Sequence, residues 1–256
     1  MSSKDMLLVE ARGPVTVLTL NRPDRRNALS PALVAALGEA VVQPRDTAAL
    51  VLTGAGTVFC AGGDLAPFSD DGFLGGHRGR AAFADLLGAM LRSRTPIIGA
   101  INGDALGGGF GLAAACHLLV ADERARFGTP ELKVGLFPMM ISPLLARLLP
   151  RQVLFDCILA GRRLSATEAL GFGFVNRLAP PGEAFGRGLE LATEVASHSP
   201  AVVGLGLEAL AHAAELPIDV ALRHMHAQLS INLMLEDAGE GIAAFVGRRA
   251  PEWKGR

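Results

Sequence analysis

The run Pro96-Ile97-Ile98-Gly99-Ala100-Ile101-Asn102-Gly103-Asp104-Ala105-Leu106-Gly107-Gly108-Gly109 decides how the rest of the chain is read. Behind its opening proline, Ile97–Ile101 reads as a buried strand, Asn102–Gly109 as a turn, and the residues through Ala115 as a helix. Another strand follows at Leu118–Ala121. The same plan stands upstream, where the apolar run Ala49–Thr53 precedes Phe59-Cys60-Ala61-Gly62-Gly63-Asp64-Leu65, a glycine turn leading toward a helix. Consecutive glycines at a strand exit let backbone approach a ligand closely and turn N–H groups outward. A helix behind them adds its positive end, which favours anionic oxygen. One such cluster merely permits a tight turn, whereas two that converge can form an oxyanion hole.

Around these units the organisation is simple. Leu7–Glu10 and Val15–Leu20 flank an Arg-Gly-Pro turn and read as a hairpin. Ser30-Pro31 supplies an N-cap and a first-turn proline for a helix to about Val42. Asp70–Gly79, rich in Gly and Asp, reads as a loop, and Arg80–Ser93 as a helix. From Pro143 onward, helices punctuated by Pro, Gly and Ser dominate, with one short strand near Phe174–Leu178. The expected fold class is α/β, with a core over residues 1–195 and a helical C-terminal region over 196–256.

Composition narrows the function classes. Half of the 256 residues are hydrophobic and 19% are charged, apolar enough to suggest burial between subunits. A net charge of −1 argues against nucleic acid as a partner. No apolar run has the length of a membrane span, and the N-terminus lacks a signal-like stretch, so a cytoplasmic protein is expected. Cys60, Cys116 and Cys157 are widely spaced and read as reduced thiols. His224 and His226 point to different faces of a helix, and no metal site is expected.

The segment Gly109-Phe110-Gly111-Leu112-Ala113-Ala114 also fits a relaxed dinucleotide fingerprint, with the acid Glu131 further on. It lies mid-chain, however, and the acid follows Phe127-Gly128-Thr129-Pro130 instead of closing a second strand. A nicotinamide cofactor is therefore not expected.

Taken together, Asn27-Ala28-Leu29, the two glycine turns, Phe127-Gly128-Thr129-Pro130-Glu131 and Phe245-Val246-Gly247-Arg248-Arg249 resemble the enoyl-CoA hydratase/isomerase (crotonase) family in order and spacing. The resemblance implies a spiral of ββα units whose helical C-terminal region packs trimers or dimers of trimers. It implies an acyl-CoA substrate, with no cofactor beyond the CoA that the substrate carries. Ala61 and Gly108 match the oxyanion donors and Glu131 an acid/base. Ala61, Gly62, Gly63, Asp64 and Leu65 match the wall that receives CoA, with Arg26 and Ala28 beside its entrance. Phe245 and Arg248 match positions that approach CoA from a neighbouring helix or subunit.

The sequence departs from the family pattern at two places. Hydratases of the family carry a second glutamate three residues beyond the middle glycine of the triple-glycine turn, where this chain has Gly111. One carboxylate can still take a proton α to a thioester and return it elsewhere, which is double-bond isomerisation. Hydration wants a further group to hold water, and losing one general acid/base costs about 10²–10⁴-fold. The second departure is Met139-Met140, bulk where a glycine-rich segment is usual. With Gly111, these methionines are candidates for the acyl pocket, or simply for the core. The alternatives left open are a non-catalytic acyl-CoA binder, and decarboxylation, hydroxyacyl-CoA cleavage or thioester hydrolysis through the same enolate. Asp70 or Asp71 standing in for the missing glutamate is a further alternative.

Overall fold

The computed structural model describes residues 6–42, 47–64 and 72–256. Strands β1 (Leu7–Arg12), β2 (Val15–Leu20), β3 (Ala49–Gly54), β5 (Ile97–Ile101), β7 (Leu118–Asp122) and β10 (Arg177–Ala179) form one sheet in the order β1-β2-β3-β5-β7-β10. A second sheet, β4-β6-β8-β9, joins Val58–Cys60, Asp104–Leu106, Arg126–Gly128 and Leu164–Ser165. Each successive strand pair, β3/β4, β5/β6 and β7/β8, gives its first member to the large sheet and its second to the small one. Pairing between units is parallel throughout. The chain thus advances as a spiral of ββα units.

Among the described residues ten α-helices accompany the sheets: α1 (Pro31–Val42), α2 (Gly72–Leu91), α3 (Gly108–Ala114), α4 (Ser142–Leu148), α5 (Arg151–Leu159), α6 (Ala166–Gly171), α7 (Ala184–Ala196), α8 (Pro200–Ala213), α9 (Ile218–Asn232) and α10 (Glu236–Gly247). Every residue of β3 and β5 is buried, as expected for parallel strands covered on both faces. Val51, Ile98, Ala100 and Val120 face Leu191 and Ala192 of α7. Leu50, Leu52, Ile97, Ile101 and Leu119 face the larger core, which Leu33 and Leu37 of α1 and Leu86 and Met90 of α2 complete. Within that core Phe110, Phe127 and Phe174 lock α3, β8 and the approach to β10 together, with ring centroids 5.1–5.6 Å apart.

Two expectations need correction. The glycine-rich stretch Asp70–Gly79 is helical from Gly72, as the start of α2. Glycine costs helix propensity, but Phe83, Leu86, Leu87 and Met90 all bury on one face of the same helix, and that packing carries it. Asp70, Asp71 and Leu65 lie outside the described residues. The strand expected at Phe174–Leu178 begins only at Arg177. Phe174 instead turns into the aromatic cluster, and the Asn176 side chain accepts the Leu119 amide at 2.7 Å, which delays pairing.

Candidate active site

Two asparagines shape the turns that build the site. Asn27, fully buried with φ +54°, donates from its side-chain amide to the carbonyls of Ala55 and Val58 at 2.9 and 2.7 Å. Its Oδ1 accepts the Arg22 amide. Asn102 performs the same service one unit later, accepting from the Gly54 amide at 3.1 Å and donating to the Gly56 carbonyl at 2.9 Å. Each amide side chain satisfies backbone groups that leave a sheet. The loop Arg22–Leu29 and the residues that follow β5 are thereby both tied to the turn between β3 and β4.

The geometry revises the first expected donor. The Ala61 N–H is already engaged, donating to the Arg26 carbonyl at 3.0 Å. Beyond it, Leu29 and Gly63 form a parallel bridge in which the Leu29 amide donates to the Gly62 carbonyl and the Asp64 amide to the Leu29 carbonyl. Alternation along the backbone turns the intervening Gly63 N–H away from Leu29. A methyl placed on Gly108 would sit 3.6 Å from the Gly63 nitrogen, and one on Gly62 would sit 3.4 Å from the Gly108 nitrogen. Gly108 opens α3, where N–H groups lack intrahelical acceptors. Among the described residues, neither the Gly63 nor the Gly108 N–H meets an acceptor. The pair of amides that converge is therefore Gly63 and Gly108.

Glu131 is brought to this pair by β8. The Gly107 amide donates to the Gly128 carbonyl at 2.8 Å, and the Thr129 hydroxyl donates to the Cys157 carbonyl of α5 at 2.9 Å. Pro130 then caps a short 3-10 helix, Glu131–Val134, closed by Gly135 at φ +74°. The carboxyl lies over Gly107: a Cβ built there would be 2.8 Å from Glu131 Oε1. Gly107 is obligatory twice over, since its own φ is +51°. Oε2 of Glu131 is buried and meets no hydrogen-bond partner among the described residues. Burial raises its pKa above the usual carboxylate range, against a smaller lowering from its own amide. A partly buried carboxyl with one unpartnered oxygen, beside two unclaimed amides, can exchange a proton with carbon next to a carbonyl they hold.

The remaining surroundings are apolar. The Gly108 carbon faces Leu29 Cδ1 and the Phe83 ring, the latter not singled out by the sequence. Gly111 is buried beneath Ile141, whose Cγ2 would stand 2.3 Å from a Cβ at that position. Met139 and Met140 follow the same loop but stay out of the core, Met139 being 70% exposed and Met140 37%. The Met139 amide is spent on the Phe137 carbonyl at 2.7 Å. Cys60, within the turn, is driven by burial to a pKa of about 12 and is no nucleophile.

Of the other expected residues, Asp64 pairs with Arg22 at 2.9 Å, and Arg22 also donates to the Ala28 carbonyl. Arg26, exposed at φ +52°, approaches Asp104 at 3.8 Å. Arg26, Ala28 and Ala61–Asp64 thus share one loop cluster. Phe245 and Arg248 stand apart at the end of α10, with Phe245 85% exposed. Among the described residues no group of three His, Cys, Asp or Glu side chains is placed to hold a metal, and no helix is long and apolar enough to cross a membrane.

Comparison with known proteins finds relatives over nearly the whole chain. The family described as enoyl-CoA hydratase/isomerase matches residues 10–256. A protein of Rhizobium meliloti (strain 1021) named probable enoyl-CoA hydratase is 36% identical over 99% of this chain and 100% of its own. A carnitinyl-CoA dehydratase of Salmonella typhi is 36% identical over 98% of this chain and 99% of its own. The crystal structure of an enoyl-CoA hydratase from Mycobacterium smegmatis superposes with a TM-score of 0.91 at 33% identity, covering 97% of this chain and 98% of that one.

Proposed function

Since this chain belongs to the enoyl-CoA hydratase/isomerase family, we propose that it moves a proton along the acyl chain of an unsaturated acyl-CoA thioester. The amides of Gly63 and Gly108 hold the thioester oxygen. Glu131 takes a proton from C2, the enolate charge settles on that oxygen, and the same carboxyl returns the proton at C4. A 3-enoyl thioester thereby becomes a 2-enoyl thioester, with no atom gained or lost. Nothing beyond the chain and its substrate enters the step, so no further cofactor is required.

The observation that carries this reading is the unpartnered Glu131 oxygen against Gly107, beside the paired amides. Its pKa, raised by burial, makes the carboxylate a better proton acceptor than a solvated one. CoA would lie along Arg26, Ala28 and Gly62–Asp64, continuing to Leu65, with Phe245 and Arg248 reaching it from a neighbouring copy of a trimer or dimer of trimers. Met139 and Met140 would border the acyl chain.

Glu131→Gln tests the reading. Isomerisation of a 3-enoyl-CoA, followed by absorbance of the conjugated product, should fall by about 10²–10⁴-fold. Binding of a saturated acyl-CoA, followed calorimetrically, should persist. Wild-type binding without turnover would point to a non-catalytic binder instead. The hydratase names of the relatives favour a second reading, addition of water to a 2-enoyl-CoA. In heavy-oxygen water that reaction would give a labelled 3-hydroxyacyl-CoA.

A further inference from the structure

Glu131 and Ile141 lie over the same short stretch of backbone. The carboxyl of Glu131 covers Gly107, and the Cγ2 methyl of Ile141 covers Gly111. Gly107 is the N-cap of α3, with φ +51°, and Gly111 lies in the first turn of the helix, its N–H donating to the Gly107 carbonyl at 3.1 Å. The start of α3 is therefore covered by a carboxyl at its N-cap and by hydrocarbon at Gly111.

The hydrocarbon flank is held in place. The Ser142 amide and hydroxyl both donate to the Pro138 carbonyl, at 3.0 and 2.7 Å, and the Leu145 amide donates to the Ile141 carbonyl at 3.0 Å. Ile141 itself is 2% exposed. Leu87 Cδ1 closes the flank further out, 3.8 Å from a Cβ at Gly111. A water molecule needs two or more polar partners to be ordered, and this corner presents methyl groups. The Met139 amide of this loop is spent on the Phe137 carbonyl.

We propose that Ile141 determines reaction specificity by denying water a seat opposite Glu131, so that the enolate is reprotonated on carbon and the double bond moves without hydration. This rests on the acyl-CoA reading above. The relevant quantity is a product ratio: labelled 3-hydroxyacyl-CoA from a trans-2-enoyl-CoA in heavy-oxygen water, against isomerisation of the matching 3-enoyl-CoA. Ile141→Thr keeps the Cγ2 methyl, replaces the ethyl arm by a hydroxyl and so supplies a partner for water, with Ile141→Val as its shape-matched apolar control. The threonine variant should raise the ratio about tenfold, the worth of one hydrogen bond. Ile141→Val keeps a Cγ2 methyl and should keep the wild-type ratio. Ile141→Ala admits water by vacancy and should also raise the ratio, which serves if the threonine variant does not fold.

Wild-type protein that hydrates as fast as it isomerises would overturn the proposal. So would an unchanged ratio in whichever of Ile141→Thr and Ile141→Ala folds. Failure of the underlying reading looks different, because Glu131→Gln would then isomerise at the wild-type rate whatever stands at position 141.

Discussion

A carboxyl kept in a poorly solvated corner costs the fold something, and Glu131 makes that cost measurable. Burial raises its native pKa above the unfolded value. Its contribution to stability is therefore intact below the unfolded pKa and declines as pH rises through the raised native one. Glu131→Gln removes this decline. At neutral pH the variant should melt at or above the wild-type temperature while being inactive, and the gap should narrow toward about pH 4, where the wild-type side chain is protonated as well. Thermal melts at the two pH values check it; an equal loss of Tm at both would mean a structural role only. Glu131 could be singled out through the family resemblance of Phe127-Gly128-Thr129-Pro130-Glu131, whereas the uncommitted Gly63 amide could not. Ala61 and Gly63 sit two residues apart in one turn, and the long-range bridge between Leu29 and Gly63 decides which of their N–H groups is left over.

At the scale of elements, close approach of helix to sheet is what the large sheet demands. A Cβ at Gly188 would stand 2.7 Å from the Ala100 Cβ, so α7 rests directly on β5. Gly188→Ala should overpack that contact and cost about 1–3 kcal/mol despite its better helix propensity. A lower urea midpoint at unchanged slope would register it. The long apolar strands β3, β5 and β7 could be read from sequence because each is a continuous apolar run. The second strand of each unit could not. Val58–Cys60, Asp104–Leu106 and Arg126–Gly128 are three residues each and find partners only in the neighbouring units. Gly72–Gly79 misled for the opposite reason: local propensity spoke against helix, and the packing of Phe83 and Leu87 several residues on overruled it.

For the whole molecule, the apolar composition has a visible address. Met234, Phe245 and Val246, near and on α10, are 83%, 85% and 77% exposed in a single chain, with Leu222 and Leu229 of α9 also exposed. Large apolar side chains left this exposed suit contact with another protein surface. The chain, of 26.6 kDa, should sediment as three or six copies, and Met234→Asp with Val246→Asp should shift it toward smaller species. Sedimentation as a monomer at micromolar concentration would contradict this. A different consequence follows from the contact of Ile141 with Gly111, two positions thirty residues apart that behave as one heritable unit. A larger side chain at 111 collides with Ile141, and a smaller one at 141 leaves Gly111 facing a void, so each single step is penalised where the double step is not. Ancestry would have to cross that valley by paired change, and a library varying one site at a time would overlook any new chemistry beyond it.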